Sequence, residues 1–434
     1  MIRILAVLAI LWTGSVQAEV KIKTLISAGG IVAWVVEEPS IPFTALEIMF
    51  SGGAALDPVD QRGAAYLMTG LLEEGSGDMG AQAFAAAQQA LATSFDFDVY
   101  DDTLTISVRF LTENRLEALA LLKNAIIQPR FDPEAIERVR KQVLSILASD
   151  AQDPDSVAGA TWAQLAFGEH SYGQPREGTE ASITALTRED IIAAHQRLFV
   201  RDALSVSAVG DISAAELGPM LDELLGDLPT GEGLKAAAVD FAIEGGLTIV
   251  DMPNPQSVAL FGHAGIDRDH PDFFAAYILN TILGGRGVES RLSTEVREKR
   301  GLTYGVSTFL VGKDEANMLM GQVASANDRI GEAIEVIRYE WIKMARDGVT
   351  EAELTEAQTY LTGAYPLRFD GNAKIANILV GMQRQGLSTN YINTRNDRIN
   401  AVTLSEINRL AAELLKPEAL HFVVVGQPKD LKEE

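Results

Sequence analysis

The 434-residue sequence contains no cysteine. That excludes disulfides, thiolate zinc sites, iron–sulfur clusters, thiol nucleophiles and lipidated cysteine together. Histidine is scarce. Only His170, His195, His263, His270 and His421 occur, and none lies between Met1 and Glu169. Positive charge is also short, with 36 Lys and Arg against 60 Asp and Glu and a formal charge of −24. So acidic a surface repels phosphate backbones, which argues against nucleic acid as a partner. Beyond the N-terminus no run reaches the roughly 18 uninterrupted apolar residues of a membrane helix, so no span is expected.

What remains is an ordinary globular balance, 47% hydrophobic and 22% charged. Wholesale disorder is excluded, and the length implies two or more domains. Met1–Ala18 (MIRILAVLAILWTGSVQA) has a basic start at Arg3, an apolar core and a small-x-small end at Val16-Gln17-Ala18. That order predicts a secretory signal, cleaved near Ala18, and an exported, periplasmic or secreted protein.

Strand-like and helix-like segments alternate. Residues 41–50 and 103–110 read as strands, the second strictly alternating. Residues 60–74, 114–127 and 132–147 read as helices, the last opened by Asp132-Pro133. The chain then repeats itself. Leu186–Gly210 aligns without a gap on Val402–Gly426, an offset of 216 that places Thr187 on Thr403 and Val209-Gly210 on Val425-Gly426. Ala64-Ala65-Tyr66 echoes Ala275-Ala276-Tyr277 at an offset of 211. Two echoes at nearly equal offset indicate a duplication. The expected fold class is α+β, with two homologous half-domains, each an antiparallel-rich sheet packed with helices. The expected boundaries are a signal at 1–18, a first half at 19–227, a Pro- and Gly-containing linker at 228–240 and a second half at 241–434.

Several segments resemble the insulinase/pitrilysin family of zinc metallopeptidases, which includes the mitochondrial processing peptidase. In the first half these are Ser51-Gly52-Gly53 with Gly63-Ala64-Ala65, residues 131–147, and Gly178-Thr179-Glu180 with Gly210-Asp211. In the second half, Leu283-Gly284-Gly285-Arg286-Gly287-Val288-Glu289-Ser290-Arg291-Leu292 matches the family's glycine-rich loop. Arg297-Glu298-Lys299-Arg300-Gly301-Leu302-Thr303-Tyr304-Gly305-Val306 matches its most recognisable C-terminal motif. The resemblance covers essentially the whole mature chain. It implies two similar halves enclosing a cavity in which a peptide binds.

The sequence departs from that family where zinc would bind. Active members carry H-x-x-E-H, whose two histidines share one helical face and whose glutamate activates the metal-bound water. Here those positions hold Tyr66, Thr69 and Gly70. The family's third ligand, a glutamate, falls near Ser145, Ile146 and Leu147. No metal is therefore expected on this chain. The five histidines read as surface or packed residues, since none has a partner at ligand spacing.

Arg297 and Tyr304 do match. The resemblance implies that such a pair reaches the substrate across the cavity, the Arg forking to a peptide carbonyl and the Tyr hydroxyl stabilising the oxyanion. The bland alternative is a solvated helix end. Gly284, Gly285 and Gly287 would let backbone approach the ligand. A phosphate loop is disfavoured, because no Lys-Ser/Thr follows the glycines. In some bacterial branches of this family the zinc motif and the Arg/Tyr pair sit on separate chains. The resemblance thus implies a non-metal-binding subunit of a heterodimeric zinc peptidase, inactive alone, with zinc on an H-x-x-E-H partner. The alternative is a catalytically inactive peptide-binding or assembly protein, as the core subunits of the cytochrome bc1 complex illustrate. An independent hydrolase is the weakest reading, since no G-x-S-x-G occurs. If a peptide binds by strand addition, the candidate edge is residues 93–100.

Overall fold

The computed structural model describes residues 20–231, 233–285, 289–429 and 431–432. The expected signal segment and Gly287 lie outside them.

Strands β1 (Lys23–Ile26), β2 (Val32–Glu37) and β3 (Phe43–Ser51) are followed by a two-residue hairpin, β4 (Gly75–Ser76) and β5 (Met79–Gly80). Then come β6 (Ser94–Val99), β7 (Thr103–Leu111) and β8 (Leu204–Gly210). The second half contributes β9 (Gly246–Asp251), β10 (Gln256–Ala264), β11 (Val306–Gly312), β12 (Asn317–Ala326) and β13 (His421–Gly426). The first sheet runs β1-β2-β8-β3-β7-β6 and the second β11-β12-β10-β13-β9. Reversed, the second order matches the first without β1. In both, one pair is parallel, β2 with β8 and β9 with β13, and the remaining ladders are antiparallel. The α+β class and the duplication are thus visible strand by strand.

The repeated segment folds as its residues dictate. Helix Arg188–Leu198 and helix Leu404–Leu414 both open on capping boxes, Thr187 with Asp190 and Thr403 with Glu406. Each leads into the strand that ends at the repeated glycine. A Cβ at Gly210 would lie 2.2 Å from the Phe43 carbonyl oxygen, and one at Gly426 would lie 2.5 Å from Ser257 Oγ. The repeat keeps glycine because a neighbouring strand passes there.

The halves are not separate packages. Helix Pro154–Phe167, from the first half, packs on β10 and β13 of the second sheet. Helix Asn372–Arg384, from the second half, packs on β3 and β8 of the first. Each covers the sheet face opposite that sheet's own helices, with Trp162, Ala166 and Phe167 against Met318, Val423 and Val425 on one side. Ala376, Leu379 and Met382 meet Trp34, Ala45 and Val209 on the other. Ser207 Oγ donates to the Ala376 carbonyl at 2.6 Å inside that second contact. The described residues between Leu228 and β9 have no regular structure, yet Phe241 and Ile243 pack into the first of these clusters. The expected linker is therefore followed by a packed strap.

The helix expected over 60–74 is shorter. It spans only Ala64–Thr69, preceded by a 3₁₀ turn at Val59–Gln61 and a left-handed Gly63. Asp57 fixes this start by accepting the backbone N–H groups of Gly63 and Ala65. Helices Arg115–Ile127 and Pro133–Asp150 match expectation closely.

A pH effect follows from β3. Glu47 is buried and accepts a hydrogen bond from Ser107 Oγ at 2.7 Å. Burial pushes its carboxyl from 4.5 up to about 7. A raised acid holds its proton longer in the folded state, so this group's contribution falls as pH rises from about 4.5 through 7. Glu47→Gln should remove that fall and raise the melting temperature at pH 8, by at most about 3 kcal/mol of stability. Melting curves of both proteins across this range test it. Parallel wild-type and mutant curves would contradict it.

Candidate functional site

The helix Ala64–Thr69 carries the positions where a zinc motif would lie. Tyr66 is half-buried, and burial pushes its phenol above the usual range, so it stays protonated. Thr69 Oγ1 is turned back to donate to the Tyr66 carbonyl at 2.9 Å. Gly70 ends the helix, and a Cβ there would touch Val139 of helix Pro133–Asp150 at 3.0 Å. A protonated phenol, a hydroxyl spent on its own backbone and a glycine do not fit zinc. Among the described residues no group of three or more His, Asp or Glu is arranged to hold a metal ion.

The histidines are occupied separately. His195 is half-buried, stacks on Phe199 and bonds the Ile126 carbonyl at 2.7 Å through Nε2. His263 is buried, with Nδ1 2.7 Å from the Ala264 carbonyl and Nε2 accepting from Trp341 Nε1 at 3.2 Å. That arrangement requires the neutral ring, and burial lowers its pKa accordingly. His170 contacts the Ala237 carbonyl, His270 the Asp272 N–H and His421 the Glu244 carbonyl. Purified chain, dialysed and analysed for metal, should hold no stoichiometric zinc. One tightly held zinc per chain would overturn this and direct attention to His170, His263 and His270.

The second-half motif is built differently. Arg297 lies on a widened turn, Ser293–Glu298, closed by an i to i−5 bond from Lys299 N–H to the Thr294 carbonyl at 2.9 Å. Such π-type turns cost stability and recur at functional sites. The charged side chains of this turn divide into two groups. Glu295 accepts from Lys299 and Arg300, both at 2.7 Å, and these bonds hold its carboxyl below the usual range. Arg297 stays out of that cluster, half exposed, with its Nη2 on the adjacent Glu298 at 2.8 Å. An exposed pair of this kind is worth little and exchanges readily for another acceptor.

Tyr304 is 94% exposed. The turn that presents it is tied from below. Thr303 Oγ1 sits 2.8 Å from the Gly305 carbonyl and 2.6 Å from the Ala324 carbonyl. Ser325 Oγ donates to the Leu302 carbonyl, and Arg329 holds the carbonyls of Arg300 and Gly301. The ring thus projects from a fixed turn.

A cleft of about 660 Å³ joins these parts. Gly285, Glu289, Ser290, Arg297, Gly305 and Gln322 line it. Gly285 of the glycine-rich segment and Arg297 and Gly305 of the second-half motif therefore share one cleft, while Tyr304 projects beside it and is not among its lining residues. Gly284 does something else. A Cβ there would lie 2.7 Å from Thr308 Oγ1, so its small size lets helix Phe273–Gly284 close on β11. Arg291 anchors the far side of the loop. It forks onto Glu353 at 2.6 and 2.9 Å, and bonding to Arg291 and Thr350 lowers that carboxyl to about 2 despite partial burial. Sequence reading did not single out Arg291 or Glu353; nothing in the spacing joins positions so far apart. The strand expected as a binding edge is at the edge, since among the described residues β6 pairs only with β7.

Residues 32–180 match the family description "Insulinase (Peptidase family M16)", and residues 185–361 match "Peptidase M16 inactive domain". A Helicobacter pylori protein called "Non-peptidase homolog YmxG" is 26% identical over 91% of each chain. An "uncharacterized zinc protease" of Mycobacterium leprae is 26% identical over 89% of this chain and 88% of its own. The solved "peptidase M16 inactive domain" from Pseudomonas fluorescens superposes with a TM-score of 0.88 at 25% identity, covering 95% of this chain and 99% of that one. A chain of Complex III2 from Candida albicans shares the fold, with a TM-score of 0.79 at 15% identity over 95% and 97% of the two chains. The duplicated α+β fold, the glycine-rich segment and the Arg/Tyr motif, together with both family matches, place this chain in the insulinase family, peptidase family M16.

Proposed function

We propose that this chain is the metal-free subunit of a two-chain exported zinc peptidase. It would supply Arg297 and Tyr304 to a zinc site held by an H-x-x-E-H-bearing homologue. The observation that carries this is the presentation of the pair. An aromatic ring exposed by 94% on a turn braced by Thr303, Ser325 and Arg329 is poised to meet something outside its own chain. The name of the Helicobacter pylori relative, a non-peptidase homologue, supports the view that this chain does not cleave peptides alone.

In this reading the peptide lies extended in the cleft, paired along a sheet edge. Arg297 releases Glu298 and forks to a peptide carbonyl. The Tyr304 hydroxyl donates to the carbonyl oxygen as negative charge develops on it. Zinc supplies the water-derived nucleophile from the partner's side. Export follows from the signal at Met1–Ala18, which lies outside the described residues, and none of the described helices is long and apolar enough to cross a membrane.

Affinity capture with the tagged, exported chain should recover an H-x-x-E-H-bearing homologue as a stable heterodimer. Recovery of the chain in an assembly without such a homologue would instead favour a peptide-binding or assembly role.

A further inference from the structure

The half-domain duplication gives the degenerate zinc positions a counterpart. At the offset of 211 that relates Tyr66 to Tyr277, Thr69 corresponds to Asn280 and Gly70 to Thr281. All three lie on helix Phe273–Gly284 and line a cavity of about 710 Å³ in the second half. This cavity shares Gly285 and Gln322 with the cleft that holds Arg297, so the two are continuous.

Its lining runs against the net charge of the molecule. The chain carries a charge of −24, yet among the described residues no Asp or Glu lines this cavity, whereas Arg368 and Arg395 do. Arg395 is only 5% exposed, and the acceptors it reaches among the described residues are the Leu361 carbonyl and Asn396 Oδ1 rather than a carboxylate. It sits 4.2 Å from the Tyr365 ring centre and 5.6 Å from that of Tyr277, and donates to the Leu361 carbonyl at 3.1 Å. A guanidinium buried without an anion is costly to keep, and tyrosine faces offset that only in part. Asn280 gives a second, independent sign. It is 8% exposed, and its Oδ1 has no hydrogen-bond partner. A buried, unpartnered carbonyl oxygen in a cavity with two arginines points to a ligand that also donates a hydrogen bond, as a peptide N–H does.

We infer that this cavity is a carboxylate site, and that it receives an acidic group of a peptide lying in the adjoining cleft. Resting on the reading that the cleft binds peptide, it names the substrate class. Arg368 is exposed at the mouth and Arg395 is fixed within, so the two present charge from two directions. A carboxylate there accepts from both guanidinium groups, while Asn280 Oδ1 accepts a backbone N–H of the same peptide. The tyrosine walls admit the flat edge of an extended backbone. The group can be a free C-terminus or an Asp or Glu side chain.

Fluorescence anisotropy on the full chain tests this with three labelled Ala/Ser peptides. One ends in a free acid, one in an amide, and one is the amide with an internal Asp. Either or both carboxylate-bearing peptides should bind about tenfold more tightly than the plain amide, the scale of a hydrogen bond to a charged group. A gain with the first marks a C-terminal site and with the third a side-chain site. Arg368→Gln should abolish the gain, and Arg368→Lys should restore part of it. Arg368 is exposed, so folding should survive; a melting curve checks this. Equal binding of all three peptides, or a gain that survives Arg368→Gln, overturns the proposal. The peptidase reading is judged separately. If Arg297→Ala weakens all three equally while carboxylates give no gain, the carboxylate site fails and the cleft stands. A carboxylate gain in a chain that never supports proteolysis leaves the site standing and the peptidase role rejected.

Discussion

Arg297→Ala or Tyr304→Phe should cut the turnover of the reconstituted peptidase pair by about 10²–10³, the usual cost of losing one oxyanion donor. Folding and association should be unchanged. Both side chains are substantially exposed, Arg297 by 48% and Tyr304 by 94%, so neither holds core structure. The turn beneath Tyr304 is held by Thr303, Ser325 and Arg329, which the substitution leaves in place. Tyr304→Phe removes only a hydroxyl and so separates chemistry from shape. Arg297→Lys should fail in part, because an ammonium cannot reproduce a planar two-pronged contact. Steady-state kinetics on the mixture, with melting temperature and co-elution as controls, measures each. Wild-type turnover in both mutants would make the pair structural. Loss of activity through dissociation would make it an interface, and the assembly role would gain.

Arg197→Leu should cost about 3–5 kcal/mol of folding stability, because it strands a buried carboxylate. Asp57 has no exposed side-chain surface and bonds Arg197 Nη2 at 2.8 Å. Burial pushes its carboxyl up, while the Ala65 N–H and Arg197 act against that. The same carboxylate holds the start of helix Ala64–Thr69, so the loss should loosen the helix on which Tyr66 stands. Adding Asp57→Asn to Arg197→Leu should recover part of the loss, since the buried carboxylate is gone and Arg62 keeps its backbone carbonyl acceptors and Asp101. Urea midpoints of wild type, single and double mutants give the answer. A single-mutant change below about 1 kcal/mol would place Asp57 in the class of weak surface pairs.

Local signals were legible in the sequence, and what depends on distant chain segments was not. Thr187 and Thr403 announce their helices because a capping box is read over four consecutive residues. Asp132-Pro133 does the same for helix Pro133–Asp150. The degenerate zinc positions were readable because a missing imidazole is a fact of composition. The helix over 60–74 was overextended because apolar periodicity continues across Gly63, where the backbone turns left-handed. The exchange of helices Pro154–Phe167 and Asn372–Arg384 left no trace in either segment. Periodicity shows that a helix has an apolar face and is silent about which sheet covers it. The arginine cavity was hidden for the same reason. Tyr277 and Asn280 on one helix, Arg368 and Arg395 come from three places in the chain and share only the space they enclose.

The central claim is that this chain is half of one active site, and mixing tests it most directly. The purified chain, the purified H-x-x-E-H-bearing partner and their equimolar mixture are each given a quenched fluorescent peptide substrate under identical conditions. The account predicts cleavage by the mixture, background rates from either chain alone, and loss of cleavage when the partner's zinc is chelated. A partner fully active by itself, or a stable heterodimer that cleaves nothing, would contradict it.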